Sequence, residues 1–541
     1  MRAMNFPLAW DRSTGHGYVA AVDSGLLNNA PPSDLAANYR TQFSFVLTGQ
    51  YVPNREYHGT HVLGIIGATA NNGAGVAGGC PTCSVAMARM NDVNEFGYPT
   101  ILATSAAWSI ARLVDRGFQV VNMSFGTNDP DASCLSSGYE PYCSAIDYAD
   151  QKDVLLVAAA GNHNKIIPDF PARHPSVLSV GGVQNTNPST PASWVRWFYN
   201  SWDDSSDTGY GSSHAGLSGV VAPAKAIVST VPVGMEYITT HPAFRCADTL
   251  PTDESGTTGD GYGSCTGTSM AAPHISALAG IVRSVNPQLS RDSIKNLIRS
   301  SGSHYAAQTS QLGAGLPNAR IAVDQAIAQT PNRLTPLFSM YSAERRDYFY
   351  TTVPQMAAAA SWGTLQPVFI PSESSRYVPA TGAGINNYFS FPGGYPFAYP
   401  LAEVWLFTTP ENPKSTSVPL VPLYRLSWKC GDYTPYPPAI CSSNPQHVDT
   451  AYTADPSGVA SFQSWGYKLD GIEGYLYPKT LPQPAGTVRL MRKYNPVRDD
   501  HAIFPETALS AMTSQGYTES SGSDWLGYVY PNVTGIVPAI Q

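Results

Sequence analysis

GTSMAAPHISALAG, residues 267–280, decides how this chain reads. Ser269 stands directly before an apolar helical pattern, with Pro273 in the first turn. Ile275, Leu278, Ala279 and Val282 recur at the spacing of one helix face, which predicts a helix over Met270–Val285. The Ser269 hydroxyl would then lie at a helix N-terminus, where the dipole and unpaired N–H groups favour developing negative charge. A plain N-cap serine fits this stretch equally well, so the motif needs company.

Company appears upstream, in an alternation of strands and helices. Tyr18–Val22, Gln119–Met123, Val154–Ala159 and Val177–Val180 are near-continuous apolar runs, as buried parallel strands require. Ile101–Arg116 has a helical pattern with Gly117 as its stop, and Ser290 caps a further helix carrying Ile294, Leu297 and Ile298. The expected fold class is α/β, a doubly wound parallel sheet. Such sheets place their sites at the carboxyl ends of strands. Asp23 in VAAVDSG (19–25) and Asn162 in VAAAGNHN (157–164) fall at such ends. His58 opens HGTHVLGIIG (58–67). A zinc-protease helix would need Glu after the first His, and this one has Gly59, so His58 reads as a general base and His61 as its helix support. Each motif alone has a bland reading as a turn residue, a cap or a structural pair.

Taken together, in the order Asp, His, Asn, Ser, the motifs DSG, HGTHV, AAAGN and GTSMAAP closely resemble the subtilisin-like serine proteases. NNGAGVAG, VVNMSFG, FPARHPSVLSVGG and SGVVAPA lie between them in family order, and the resemblance runs from about Ala9 to Ala326. It implies Ser269 as nucleophile, His58 as general base and Asp23 as the group orienting His58. It implies Asn162 and the Ser269 N–H as the oxyanion hole, and Ser124, Phe125 and Gly126 as a substrate-pairing edge. It also implies Asp169, just before Phe170–Pro171, as the floor of the primary specificity pocket, where a carboxylate would select Arg or Lys on the acyl side of the scissile bond; the opposing reading is a loop Asp turned to solvent, or a second preference for large apolar residues. The resemblance implies no cofactor for catalysis. It brings the expectation of structural calcium, since the loop Thr69–Val76 lies where the family often builds a calcium site, although no metal ligand is assigned. Two rival readings remain: a binding protein on a catalytically dead scaffold, and an esterase. An esterase would need Gly-x-Ser-x-Gly around its serine, and here Ser269 is followed by Met270 and Ala271.

The remaining features bound the setting. The chain has 541 residues, enough for two or three domains, with 13% charged residues and a formal net charge of −8. That balance argues against nucleic acid as a partner. No stretch approaches 18 apolar residues, so no membrane span is expected. The eight cysteines fall into neighbours, predicting the disulfides Cys80–Cys83, Cys134–Cys143, Cys246–Cys265 and Cys430–Cys441 and a secreted, extracellular protein. Met1–Asn5 shows no signal peptide, so the expectation is a mature portion of a secreted precursor. Near Thr330 the composition changes: QTPNRLTP reads as a linker between a peptidase domain, 1–330, and an accessory domain, 331–541. Beyond it, helical patterns fade, aromatics multiply and three related segments appear, the last two closing on GYxYP. The expectation is an all-β, trefoil-like domain of three repeats. Its aromatics either fill a core or stack on a carbohydrate at a cell surface. The partners expected of the whole are protein or peptide substrates.

Overall fold

The computed structural model describes residues 1–26, 30–44, 57–93, 99–185, 194–197, 211–233, 247–248, 261–329, 334–342, 347–352, 378–379, 387–390, 396–399, 402–410, 412, 418–430, 439–519 and 524–531, apart from the single positions 102, 128, 137 and 446. The chain divides into two compact units that part at Gln325/Ala326, with the short segments 115–117 and 284–290 grouped with the second.

In the first unit the four predicted runs become β1 (Tyr18–Asp23), β4 (Val120–Met123), β5 (Leu155–Ala159) and β6 (Val177–Asn185), and three strands that were not predicted join them: β2 (Tyr39–Ser44), β3 (Ser84–Arg89) and β7 (Val220–Pro223). They pair in parallel in the order β7-β6-β5-β4-β1-β3-β2. β1, β4 and β5 are buried along their whole length, which is why their sequences are continuously apolar rather than alternating. Helices α1 (Tyr57–Gly67), α2 (Ala103–Asp115), α3 (Glu140–Gln151), α4 (Thr268–Val285), α5 (Arg291–Ser300) and α6 (Ala319–Ala328) accompany the sheet. The chain order reverses between β1 and β4, so their carboxyl ends frame a topological switch point. A small antiparallel layer pairs β8 (Ile227–Thr230) with β9 (Tyr262–Cys265), the strand that leads into α4.

The second unit is built from three related pieces. The first holds β10 (Leu334–Ser342), β11 (Asp347–Thr351) and β12 (Ala402–Phe407). The second holds β13 (Val421–Lys429), β14 (Val448–Thr453), α7 (Pro456–Ser464) and β15 (Lys468–Leu476). The third holds β16 (Val488–Asn495), β17 (Asp500–Pro505), α8 (Leu509–Ser514) and β18 (Trp525–Pro531). In each piece the first two strands form a hairpin, and the third returns to pair with the first. The three returning strands pair with one another: β12 with β15 and β18, and β15 with β18 through a bridge just past its end, Tyr477 to Tyr528. The expected three-part, β-rich organisation is present. Among the described residues each piece shows a hairpin and a return strand, with a helix before the return in the second and third pieces; this does not confirm the trefoil.

A buried trio of carboxylates ties the pieces into a ring. Asp347 and Asp500 open the second strand of their pieces and Asp449 is the second residue of its own, and one ligand atom from each lies within 4.8 Å of the others. Asp347 accepts the Thr450 N–H (2.7 Å), Asp449 accepts the His501 N–H (2.8 Å), and Asp500 accepts the Tyr348 N–H (3.1 Å). Each carboxylate thus satisfies the residue after its counterpart in the next piece, and the third hands back to the first. The Thr450 hydroxyl and the His501 Nδ1 add bonds to the same acceptors. Burial first, and then the charges of Asp347 and Asp449, push the Asp500 carboxyl well above the usual carboxylate range. The closing tyrosines Tyr475, Tyr477, Tyr528 and Tyr530 are buried together with Trp405 and Phe407. The GYxYP motif therefore fills core, and these rings offer no face for stacking on a sugar.

Three of the expected disulfides are present: Cys80–Cys83, Cys134–Cys143 and Cys430–Cys441, with Cα–Cα distances of 5.3, 5.6 and 5.5 Å. Cys265 is also disulfide-bonded, while its expected partner, Cys246, lies outside the described residues.

Candidate active site

Asp23 ends β1, and its carboxylate is buried. One oxygen, Oδ1, accepts both the Ser24 N–H (2.7 Å) and His58 Nδ1 (2.7 Å). His58 lies in the first turn of α1, with its side chain about one-third exposed. Burial works against the imidazolium, but the charge of Asp23 and the hydrogen bond it accepts from His58 outweigh that, so the His58 pKa is raised above its ordinary value. His61 turns away from this pair. Its Nε2 donates to Ile227 O (2.9 Å) and Gly263 O (3.1 Å), which ties α1 to β8 and β9. Burial drives its pKa down to about 4, so it stays neutral and structural.

Ser269 lies in the first turn of α4, as expected, and is half-buried. Its Oγ donates to Ser124 O (3.0 Å), while Ser124 Oγ donates back to Ser269 O (2.8 Å). Catalytic hydrogen bonds are often unformed without substrate. Behind Ser124 stands a line of polar groups: Asn122 Nδ2 donates to Ser124 Oγ (2.9 Å), and Ser276 Oγ donates to Asn122 Oδ1 (2.9 Å). This line links β4 to α4 and holds the backbone of residue 269 in place.

Asn162 follows β5, and Thr268 sets its orientation. The Asn162 Oδ1 accepts both the Thr268 N–H (2.9 Å) and the Thr268 hydroxyl (2.9 Å). The amide nitrogen therefore faces the other way, and it lies 3.5 Å from where a Cβ on Gly267 would be. Gly267 has φ 150°, where a side chain would be strained, so the approach to Ser269 is kept bare.

Asp169 is not turned to solvent: only 3% of its side chain is exposed. Its N–H donates to Ala160 O (2.8 Å), which folds the residue back against the strand end before Asn162. A Cβ on Gly161 would stand 2.1 Å from Asp169 Oδ2, and one on Gly126 would stand 3.1 Å from Asp169 Cβ. Two glycines thus leave room for the carboxylate beside the Ser124–Gly126 edge. Phe125 stacks on Tyr142, with ring centroids 6.3 Å apart, and supports that edge. His163 Nδ1 lies 3.4 Å from Asp169 Oδ2, and Lys165 Nζ lies 4.0 Å from Oδ1. Thr268, Asn122 and Lys165 were not singled out from sequence. A hydroxyl residue directly before the candidate serine was the one signal that could have exposed Thr268.

The loop Thr69–Val76 closes on Asp34. That carboxylate accepts the Asn72 side-chain amide and the Val76 N–H (2.8 Å). Asn72 Oδ1 is itself taken by the Ala74 N–H (3.2 Å), which fixes the amide this way round. Hydrogens therefore point at Asp34 where a cation would bind, and the loop as folded does not fit calcium.

Residues 16–315, more than half the chain, match the model of the subtilase family. The chain is a subtilase. It is similar to thermitase of Thermoactinomyces vulgaris, 30% identical over 307 residues that cover 56% of this chain and 88% of that protein. It is similar to subtilisin Savinase of Lederbergia lenta, 29% identical over 318 residues, 58% of this chain and 94% of that one. Among solved structures, it is similar to fervidolysin of Fervidobacterium pennivorans, described as a keratinolytic enzyme related to subtilisin, over 62% of this chain and 46% of that chain, at 22% identity and a TM-score of 0.43. Residues 440–527 match a domain of unknown function. The subtilase is a serine endopeptidase, which removes the esterase and the dead-scaffold readings.

Proposed function

We propose that this subtilase hydrolyses peptide bonds through an acyl-enzyme on Ser269, with His58 and Asp23 completing the triad. The Ser269 Oγ attacks the scissile carbonyl carbon and passes its proton to His58 Nε2. The carbonyl oxygen becomes an oxyanion held by Asn162 Nδ2 and the Ser269 N–H. Collapse breaks the C–N bond, and His58 gives its proton to the departing amine. Water then repeats the sequence on the ester, releasing the acid and restoring Ser269. Asp23 holds the His58 Nδ1–H and stabilises the imidazolium that forms. The observation that carries this reading is the 2.7 Å Asp23–His58 bond at the switch point, with the Asn162 amide oxygen already taken by Thr268.

The substrate lies as an extended strand along Ser124–Phe125–Gly126. The buried Asp169 between Gly126 and Gly161 supports a preference for Arg or Lys on the acyl side of the scissile bond. The disulfides support work outside the cell. A fluorophosphonate probe tests the core of the proposal. It should label Ser269 in the parent and leave Ser269→Ala unlabelled. Activity should fall on the scale seen when subtilisin itself loses its nucleophile, about 10⁶ in kcat, a magnitude taken over from that enzyme. Residual activity within about tenfold of the parent in a folded variant would overturn the assignment.

A further inference from the structure

The groups that face the specificity carboxylate include a cation from the chain itself. Asp169 is almost wholly buried, whereas Lys165, four residues earlier, keeps 28% of its side chain exposed. The Lys165 backbone is held at both ends: its N–H donates to Ser213 Oγ (3.3 Å) and its carbonyl accepts the His214 N–H (2.8 Å). From that fixed base a four-carbon stem sets the ammonium opposite Asp169 Oδ1 at 4.0 Å, the outer limit of an ion pair. His163 stands on the other oxygen at 3.4 Å. A contact of this length on a partly exposed side chain is weak. A guanidinium, with its planar fork, makes two shorter bonds to the same carboxylate.

We propose that Lys165 is an internal counter-ion for Asp169, and that it determines how broad the specificity pocket is. The proposal rests on the reading of Asp169 as the pocket floor. With Lys165 in place the floor is electrically neutral, and an apolar substrate side chain enters without stranding a buried charge. A substrate Arg or Lys displaces the Lys165 ammonium, which swings to water on its own stem. The cost of that displacement is borne by basic substrates alone, because the empty pocket is competent for them only in the fraction of molecules where Lys165 has left. Lys165 is thus a specificity-determining residue that trades selectivity for range.

The test compares kcat/KM on matched peptides with Arg, Lys, Phe or Leu on the acyl side, in the parent, Lys165→Met, Lys165→Arg, Asp169→Ser and the double variant. Lys165→Met should raise efficiency on Arg and Lys through a lower KM and lower it on Phe and Leu, moving the Arg:Phe ratio by about tenfold. Lys165→Arg, which keeps the counter-ion and grips Asp169 more firmly through its planar fork, should stay near the parent on Phe and Leu and lose efficiency on Arg and Lys. Benzamidinium, a small cation probe, should inhibit Lys165→Met more tightly than the parent. The double variant should match Asp169→Ser, since Lys165 acts through Asp169. An unchanged Arg:Phe ratio in Lys165→Met, beside a ratio that collapses in Asp169→Ser, would overturn the Lys165 proposal and leave the Asp169 reading standing. A ratio indifferent to Asp169→Ser would remove both. A Lys165 effect that persists in the double variant would also overturn it, because Lys165 would then act on its own.

Discussion

Asn162 has one free hand. Thr268 occupies the amide oxygen twice, and the amide nitrogen, a donor, lies 3.5 Å from where a Cβ on Gly267 would stand. If that nitrogen serves the oxyanion, Asn162→Ala should lower kcat by about 10²–10³ with little change in KM. An effect confined to KM would move Asn162 to ground-state binding. The proposed general base gives a second expectation. Asp23 holds the His58 pKa above its ordinary value, so activity should fall as the pH drops through a point above that value. In Asp23→Asn the supporting charge is gone, burial remains, and the acidic limb should move to lower pH while kcat falls by about 10⁴. A pH–rate profile of kcat/KM on one peptide checks the sign; a limb that moved upward would contradict it. Asp23, His58, Asn162 and Ser269 could be read in the sequence because each follows or opens an apolar element. The partners that orient them could not. Thr268 bonds to a residue 106 positions away, and Lys165 matters only once Asp169 is seen to fold back beneath Gly161.

At the scale of elements, the core strands were legible because burial on both faces forces unbroken apolar runs. Val120–Met123 and Leu155–Ala159 fall within one residue of the expected spans. α4 was legible from its face periodicity, but its closeness to the sheet was not. A Cβ on Gly280 would stand 2.7 Å from the Val19 side chain and 3.1 Å from Cys83 Sγ. This helix is seated against β1 at a distance that only glycine permits, so the helix carrying Ser269 and the strand carrying Asp23 share one contact. Gly280→Ala should therefore destabilise the peptidase unit by about 1–3 kcal/mol, the usual range for overpacking, despite the higher helix propensity of alanine. Urea titration followed by loss of activity measures it. A stabilised variant would mean that propensity outweighs the packing. At this same scale the Thr69–Val76 loop closes on Asp34 through its own N–H groups, a detail that composition does not encode.

For the whole molecule, the three-part pattern of the C-terminal segment was readable from repeated motifs. The ring of carboxylates was not, since Asp347, Asp449 and Asp500 meet only after three hairpins have formed. Asp449→Ala would leave the His501 N–H and side chain without their acceptor in a fully buried place. It should unfold the C-terminal unit, seen as lost near-ultraviolet ellipticity. Short-peptide cleavage should survive if residues 1–330, which the QTPNRLTP segment parts from the rest, fold by themselves. If cleavage disappears with the C-terminal fold, the two parts form one functional unit. The ring also limits what duplication can do with this module. An open stack of repeats ends in caps, so a repeat can be added or removed at little cost. Here the first piece takes the last carboxylate's bond, and no piece is terminal. Deleting one leaves a carboxylate and an N–H facing across a gap; inserting a fourth requires every hand-off to be re-angled. The count of three is therefore closed, and such a module can vary in evolution through its loops, or by cutting the ring open between any two pieces and rejoining the old ends, but not by growing.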